Sequence, residues 1–214
     1  MPTATLEEYL EAIYKLDEKG VVRPTMIAES MSVSGPTVTA TLKRLAARSL
    51  ITRSKSAVEL TAEGRREALD IIRRHRLAER FLVDILGLGW DEAHEDACLL
   101  EHALSPRVQA ALEQYLDNPS VCPHGHPIPS ADGTIHAVVG DPLCDLDTAS
   151  QGRIVQVAED NDELLQYLAS LGMFPGTDVT VCEIAPFNGP LLVEVNGSQY
   201  AIARDIASKI LVTR

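Results

Sequence analysis

Residues 118–133 read NPSVCPHGHPIPSADG. No regular helix can pass through this stretch, because proline lacks the amide hydrogen and clashes with the preceding turn. The tract divides a chain of 214 residues into two parts with different periodicity. Before it, apolar residues recur at helical spacing. From about Gly152 the pattern becomes short β-rich pieces: RIVQVAE, DVTVCEI, PLLVEV and QYAIA. One helical segment, NDELLQYLASLG, interrupts them, and Asn-Gly pairs at 188–189 and 196–197 signal turns. A multidomain α+β chain follows, ending in a β-barrel or sandwich of roughly 60 residues. Hydrophobic residues make up 45% of the chain, enough for packed cores. No apolar run approaches the roughly 20 residues of a membrane span. The start, MPTATLEEYL, is too acidic for a secretory signal, so a cytoplasmic location is expected. Cys98, Cys122, Cys144 and Cys182 are widely scattered, as free thiols or metal ligands would be.

The helical part opens with TLEEYLEAIYKLDEKG, an amphipathic helix ending at Gly20. A second helix is expected over about 25–31. SVS then makes a turn, Ser34 caps the next helix and Pro36 sits in its first turn. That helix runs to about Ser49 with Val38, Leu42 and Leu45 inward. LITRSKSAVELTAEG reads as two short strands, after which Thr61 caps a long helix. The order fits a winged helix-turn-helix. The net charge of −12 argues against nucleic acid, but its distribution does not. Residues 21–60 hold six basic and two acidic side chains, whereas residues 81–214 hold five basic and twenty acidic. Ser34, Pro36, Thr37, Thr39, Thr41, Lys43 and Arg44 can face the major groove. Arg53, Ser54 and Lys55 in the hairpin can reach the phosphate backbone. The plainer reading of the same pattern is a helical bundle with a solvated polar face.

HEDACLLEH, residues 94–102, places His94, Cys98, Glu101 and His102 at i, i+4, i+7 and i+8 of one helix. The opposite side already supplies an apolar stripe through Ala93, Ala97, Leu100 and Leu104. His75 and Glu79 are four residues apart on the long helix, and Glu8 and Glu11 three apart on the first. These are metal-binding side chains at helical spacing, although each alone also suits a solvated face. CPHGH adds Cys122 and His124, fewer donors than a closed zinc site needs. No phosphate-binding loop, dinucleotide fingerprint or nucleophile elbow is present, so an enzyme is not expected.

SGPTVTATLKRL, RRHRLAERFLVDILGL and HEDACLLEH, in this order, resemble the diphtheria toxin repressor family of metal-dependent regulators. SLGMFPGTDVTVCEIAPFNGPLLVEVNGSQYAIARDIASKILV resembles the SH3-like, FeoA-like domain of its longer members. The resemblance implies a winged helix-turn-helix over 1–62, a helical metal-binding and dimerisation domain over 63–118, a linker over 119–150 and the SH3-like domain over 151–214. By position it implies a primary site of Glu8, Cys98, Glu101 and His102. The ancillary site would use His75, Glu79, His94 and Glu159, with Asp160 or Asp162 as substitutes for Glu159. In a competing assignment, Cys122 and His124 join Glu79 and Glu159 while His75 leans to the primary site.

Two departures bear on the metal. Iron-responsive members carry a Met where this chain has Glu8, and manganese-responsive members carry an acid where it has Cys98. The soft thiolate favours Fe(II), and Glu8 pulls toward Mn(II). Co(II), Ni(II) or Zn(II) are expected as surrogates. Ala40 stands where a well-known member has a DNA-facing Gln, so a different operator is expected. The function implied is a repressor of metal-homeostasis genes, iron(II)-responsive or alternatively manganese-responsive. It would bind double-stranded operator DNA as a homodimer, with no membrane partner. Converging carboxylates are expected to leave the metal-free primary site loose. Rival readings are a metal-storage or structural protein without DNA binding, and a metal-dependent hydrolase.

Overall fold

The structure, a computed structural model, describes residues 3–54, 57–158 and 162–214. It comprises two compact units. One contains Met1–His75, Leu100–Ser105 and Pro129–Thr134; the other contains Arg76–Leu99, Pro106–Ile128 and Ile135–Arg214.

In the first unit α1 (Ala4–Asp17) precedes α2 (Pro24–Ser30) and α3 (Gly35–Ala47). Leu6, Leu10 and Ile13 of α1 are wholly buried, as are Ile27 of α2 and Val38, Leu42 and Leu45 of α3. Between α2 and α3 the chain reverses through Ser32, whose φ of 52° lies in the left-handed region. The Ser34 hydroxyl then accepts from the Thr37 amide, capping α3. Strands β1 (Ile51–Arg53) and β2 (Val58–Leu60) pair antiparallel, with Ile51 opposite Leu60 and Arg53 opposite Val58. Thr61 closes this wing onto α4 (Ala62–Arg80): its hydroxyl accepts from the Gly64 amide at 3.0 Å and donates to the Ser49 carbonyl at 2.8 Å. A Cβ at Gly64 would fall 1.8 Å from the Leu50 carbonyl oxygen, so the wing meets the helix at this distance only with glycine.

The second unit begins with the end of α4, followed by a π-helical turn at Phe81–Ile85. α5 (Ala93–Glu101) and α6 (Pro106–Tyr115) come next. The remaining elements are β3 (Asp141–Pro142), a 3-10 turn (Leu143–Asp145), β4 (Gln151–Val157), α7 (Asp162–Ser170), β5 (Asp178–Ile184), β6 (Leu191–Val195), β7 (Ser198–Ile202), α8 (Arg204–Ala207) and β8 (Ile210–Thr213). The strands form one antiparallel sheet in the order β3-β8-β4-β5-β6-β7. Asn196 and Gly197, with φ of 51° and 78°, make the two-residue turn between Val195 and Ser198. Alternate residues Leu191, Val193 and Val195 point into a core shared with Leu165, Leu168, Ile154, Val212 and Trp90.

Two strands, β3 and β8, lie beyond the four expected from the sequence. Only Asp141 and Pro142 form β3, and they pair with Val212 and Leu211. Two residues carry no periodicity to read. The tract expected as a linker is packed in part: Cys122, His124, Leu143 and Leu146 are all buried. Its backbone is held by Cys122 N–H to His126 O (2.8 Å), Gly125 N–H to Cys122 O (2.9 Å) and Val157 N–H to His124 O (3.0 Å). Gly125 has φ of 86°, and a Cβ there would meet the Val155 carbonyl oxygen at 2.0 Å. Proline supplies no amide donors, so this tract leaves carbonyls to satisfy. Guanidinium groups of α4 serve them: Arg76 donates to Pro127 O at 2.5 Å and Arg80 to Val121 O at 2.8 Å.

Candidate metal centres and nucleic-acid face

α3 presents Ser34, Pro36, Thr37, Thr39, Lys43 and Arg44 to solvent, opposite its buried Val38, Leu42 and Leu45. Thr41 departs from the expected face; it is buried, one position before Leu42 on the inward side. Arg53 is exposed at the end of β1. Lys55 lies outside the described residues. The face is hydroxyl-rich and cationic, without an acidic side chain among the residues named.

A cluster of donors forms in the first unit from three parts of the chain. Glu7 and Glu8 come from α1, Arg74 and His75 from α4, and Glu101 and His102 from the end of α5. His102 Nδ1 is 2.7 Å from Glu7 Oε2. A carboxylate only accepts, so the proton of this bond sits on Nδ1, and Nε2, the nitrogen left to a metal in the neutral form of the ring, faces the other side. There Glu101 Oε1 lies at 3.4 Å and Glu8 Oε1 at 3.8 Å. Glu8 is half-exposed, whereas Glu101 is buried. The second oxygen of Glu101 takes a 2.7 Å hydrogen bond from His75 Nδ1. Burial pushes the Glu101 carboxyl above its ordinary range. The His75 hydrogen bond pulls it back down, Glu11 raises it, and the charges of His75 and His102 lower it.

A cationic side chain stands among these carboxylates. Arg74 is buried and donates to Glu7 Oε1 at 3.1 Å and to the Glu101 backbone carbonyl at 2.7 Å. An imidazole lone pair facing two carboxylate oxygens suits a divalent cation. Sequence reasoning singled out Glu8 and Glu11 but passed over Glu7 and Arg74. The signal was present: Glu7 shares an i, i+3, i+7 stripe with Leu10 and Tyr14, and an acid on an apolar stripe needs a partner. Glu11 instead pairs with Lys15 at 3.0 Å.

The second unit builds another donor cluster. Glu79, near the end of α4, is fully buried, with Oε1 3.2 Å from His94 Nδ1 and 3.4 Å from His124 Nδ1. Cys122 Sγ lies 3.9 Å from His124 Nδ1. Donor atoms of Glu79, Cys122 and His124 all fall within 4.8 Å of one another, the spacing of side chains around one ion. His124 Nε2 lies 2.8 Å from the Trp90 carbonyl oxygen. That oxygen only accepts, so Nε2 carries the proton and Nδ1 faces the carboxylate and the sulfur. The ring also lies against Trp90, tilted by 39° with centroids 5.0 Å apart. His94 Nε2 is 3.8 Å from the exposed Cys98 Sγ. An imidazole lone pair, a carboxylate and a thiol converging in a buried pocket also match a metal's donor set.

Of the residues expected for the ancillary site, Glu79 and His94 meet within the second unit together with Cys122 and His124. Within the first unit, His75 bonds Glu101. Glu159 and Asp160 lie outside the described residues, as does the Asp162 side chain.

Comparison with known proteins gives three family matches. Residues 1–56 match the iron dependent repressor, N-terminal DNA binding domain, and residues 61–130 match the iron dependent repressor, metal binding and dimerisation domain. Residues 142–214 match the FeoA domain. The chain is 34% identical to the iron-dependent repressor IdeR of Mycobacterium leprae, over 98% of this chain and 97% of that protein. It is 36% identical to the diphtheria toxin repressor of Corynebacterium glutamicum, over 98% of this chain and 96% of that one. A solved manganese-dependent transcriptional repressor in complex with manganese superposes with a TM-score of 0.88 at 34% identity, covering 97% of this chain and 99% of that one.

Proposed function

This chain belongs to the diphtheria toxin repressor family of metal-dependent transcriptional repressors, and on that premise we propose that it is an iron(II)-responsive member acting as a homodimer on palindromic operator DNA. The observation that carries the metal assignment is the sulfur. Cys122 is buried 3.9 Å from His124 Nδ1, and Cys98 lies 3.8 Å from His94. Thiolates suit iron(II) better than manganese(II).

In the activating centre, Glu8, Glu101 and His102 are the ligands. Glu79, His94, Cys122 and His124 form the ancillary centre. A divalent ion in the first centre supplies positive charge shared among carboxylates from different helices. Glu8 belongs to α1, whose buried face packs in the same unit as α3, so holding Glu8 against Glu101 and His102 holds the reading helix. Metal acts as a switch only by binding the DNA-competent arrangement more tightly than the other. Ser34, Thr37, Thr39, Lys43 and Arg44 then meet the major groove, and Arg53 the backbone. Ile85, Leu86, Leu99, Val108 and Tyr115 are large apolar side chains exposed on the second unit, and they supply a surface for a second copy.

A manganese-responsive repressor is the second reading. It is favoured by the oxygen and nitrogen donors of Glu8, Glu101 and His102 and by the manganese-bound relative. Anaerobic titration of operator binding with Fe(II), Mn(II), Co(II) and Zn(II) decides between them. Equal DNA affinity in chelator would sink the switch itself.

A further inference from the structure

We propose that Glu7 is a positioning residue of the activating centre, aiming His102 at the metal while binding none itself. The inference rests on the reading of His102 as a ligand. Glu7 is 5% exposed on the core face of α1. A buried carboxylate costs several kcal/mol unless its oxygens are paired. Both are. Oε1 receives Arg74 at 3.1 Å, and Oε2 receives His102 Nδ1 at 2.7 Å. Arg74 is buried too and is anchored on the Glu101 backbone carbonyl at 2.7 Å.

Arg74 thus fixes Glu7 relative to the end of α5, and Glu7 fixes the ring one residue beyond. Both Glu7 oxygens are thus turned to protein donors. Its effect passes through the imidazole: it holds a proton on Nδ1, so that Nε2, which faces Glu8 and Glu101, is the nitrogen left to a metal, and it raises the basicity of that nitrogen. Glu8, its neighbour in sequence, has the opposite character; it is half-exposed and 3.8 Å from Nε2. Successive residues of a helix point about 100° apart, so α1 sends one carboxylate to the open side of His102 and one to the back.

The test uses the full chain and two kinds of readout. In metal-free protein with nitrogen-15-labelled histidine, the neutral His102 ring should carry its proton on Nδ1. In Glu7→Gln, which keeps the side-chain length but not the charge, this tautomer should lose its dominance. Co(II) affinity of the centre that His102→Ala abolishes should fall by about 10- to 100-fold in Glu7→Gln. Glu7→Ala should do the same; if it fails to fold, the near-isosteric Gln variant carries the test. An unchanged tautomer or an unchanged Co(II) affinity in Glu7→Gln overturns the inference. If His102→Ala itself leaves Co(II) binding intact, the metal centre fails and the inference falls with it.

Discussion

The two donor clusters of this chain solve the problem of gathering acids in opposite ways. In the first, oxygen predominates, and the counter-charge comes from protein: Arg74 and His75 stand behind Glu7 and Glu101, and Glu8 remains half-exposed. In the second, Glu79, Cys122 and His124 are buried, sulfur is present, and His124 is oriented by the neutral carbonyl of Trp90. The first draws on α1, the helix that opens the unit holding α3, and leaves Glu8 half-exposed on its open side. The second draws on a helix end and a proline-rich loop pinned by guanidinium groups. A centre assembled across separate segments with an exposed ligand suits a switch; a closed one packed under a loop suits a fixture.

The comparison breaks most readily at His102. His102→Ala should weaken metal activation of DNA binding by more than about 100-fold, since a lost ligand costs more than a lost outer contact. Mobility shift against metal concentration measures it, and an unaltered midpoint would transfer the switch to the second cluster. Glu79→Ala is next. Removing a buried carboxylate that faces two imidazoles should destabilise the metal-free chain by about 3 kcal/mol. Denaturant unfolding in chelator should register this loss, whereas Glu8→Ala, at an exposed position, should change stability little. If the two variants lose equal stability, the distinction between fixture and switch is wrong. Cys98→Glu sharpens the chemistry: replacing soft sulfur by oxygen should move the ratio of Mn(II) to Fe(II) activation by about tenfold, or 1.4 kcal/mol. The same metal ranking before and after would mean that Cys98 does not choose the ion. The smallest effect is expected at Ser34, distant in role from both clusters. Ser34→Ala removes the cap of α3 and should cost about 1 kcal/mol of stability. Metal affinities measured by competition should not move.

Local chemistry made much of the scaffold readable. Ser34 and Thr61 are helix caps because their hydroxyls serve amides three residues on, and Asn196-Gly197 closes a hairpin because both residues tolerate positive φ. The stripe from His94 to His102 was legible by spacing, yet spacing did not reveal its partners. His102 meets Glu7 across 95 residues of sequence, and His124 meets the Trp90 carbonyl across 34. Backbone carbonyls have no residue identity, so no motif could have named that of Trp90. The two-residue strand β3 was invisible for the same reason, since only its neighbour in the sheet makes it a strand. The proline-rich tract read as a linker because composition reports what cannot be helix, not what is buried.

The amino-acid sequence by itself determined the order of the main helices and of four of the sheet's strands, the capped helix with its cationic face, and the presence of enough metal donors to matter. Those follow from interactions within a few residues, which periodicity and side-chain chemistry encode directly. Only the tertiary structure decided which donors share a cluster, which imidazole nitrogen meets a carboxylate, and that Glu7 rather than Glu8 takes the buried place beside Arg74. Such choices depend on which groups lose water together, and that is settled when distant segments pack.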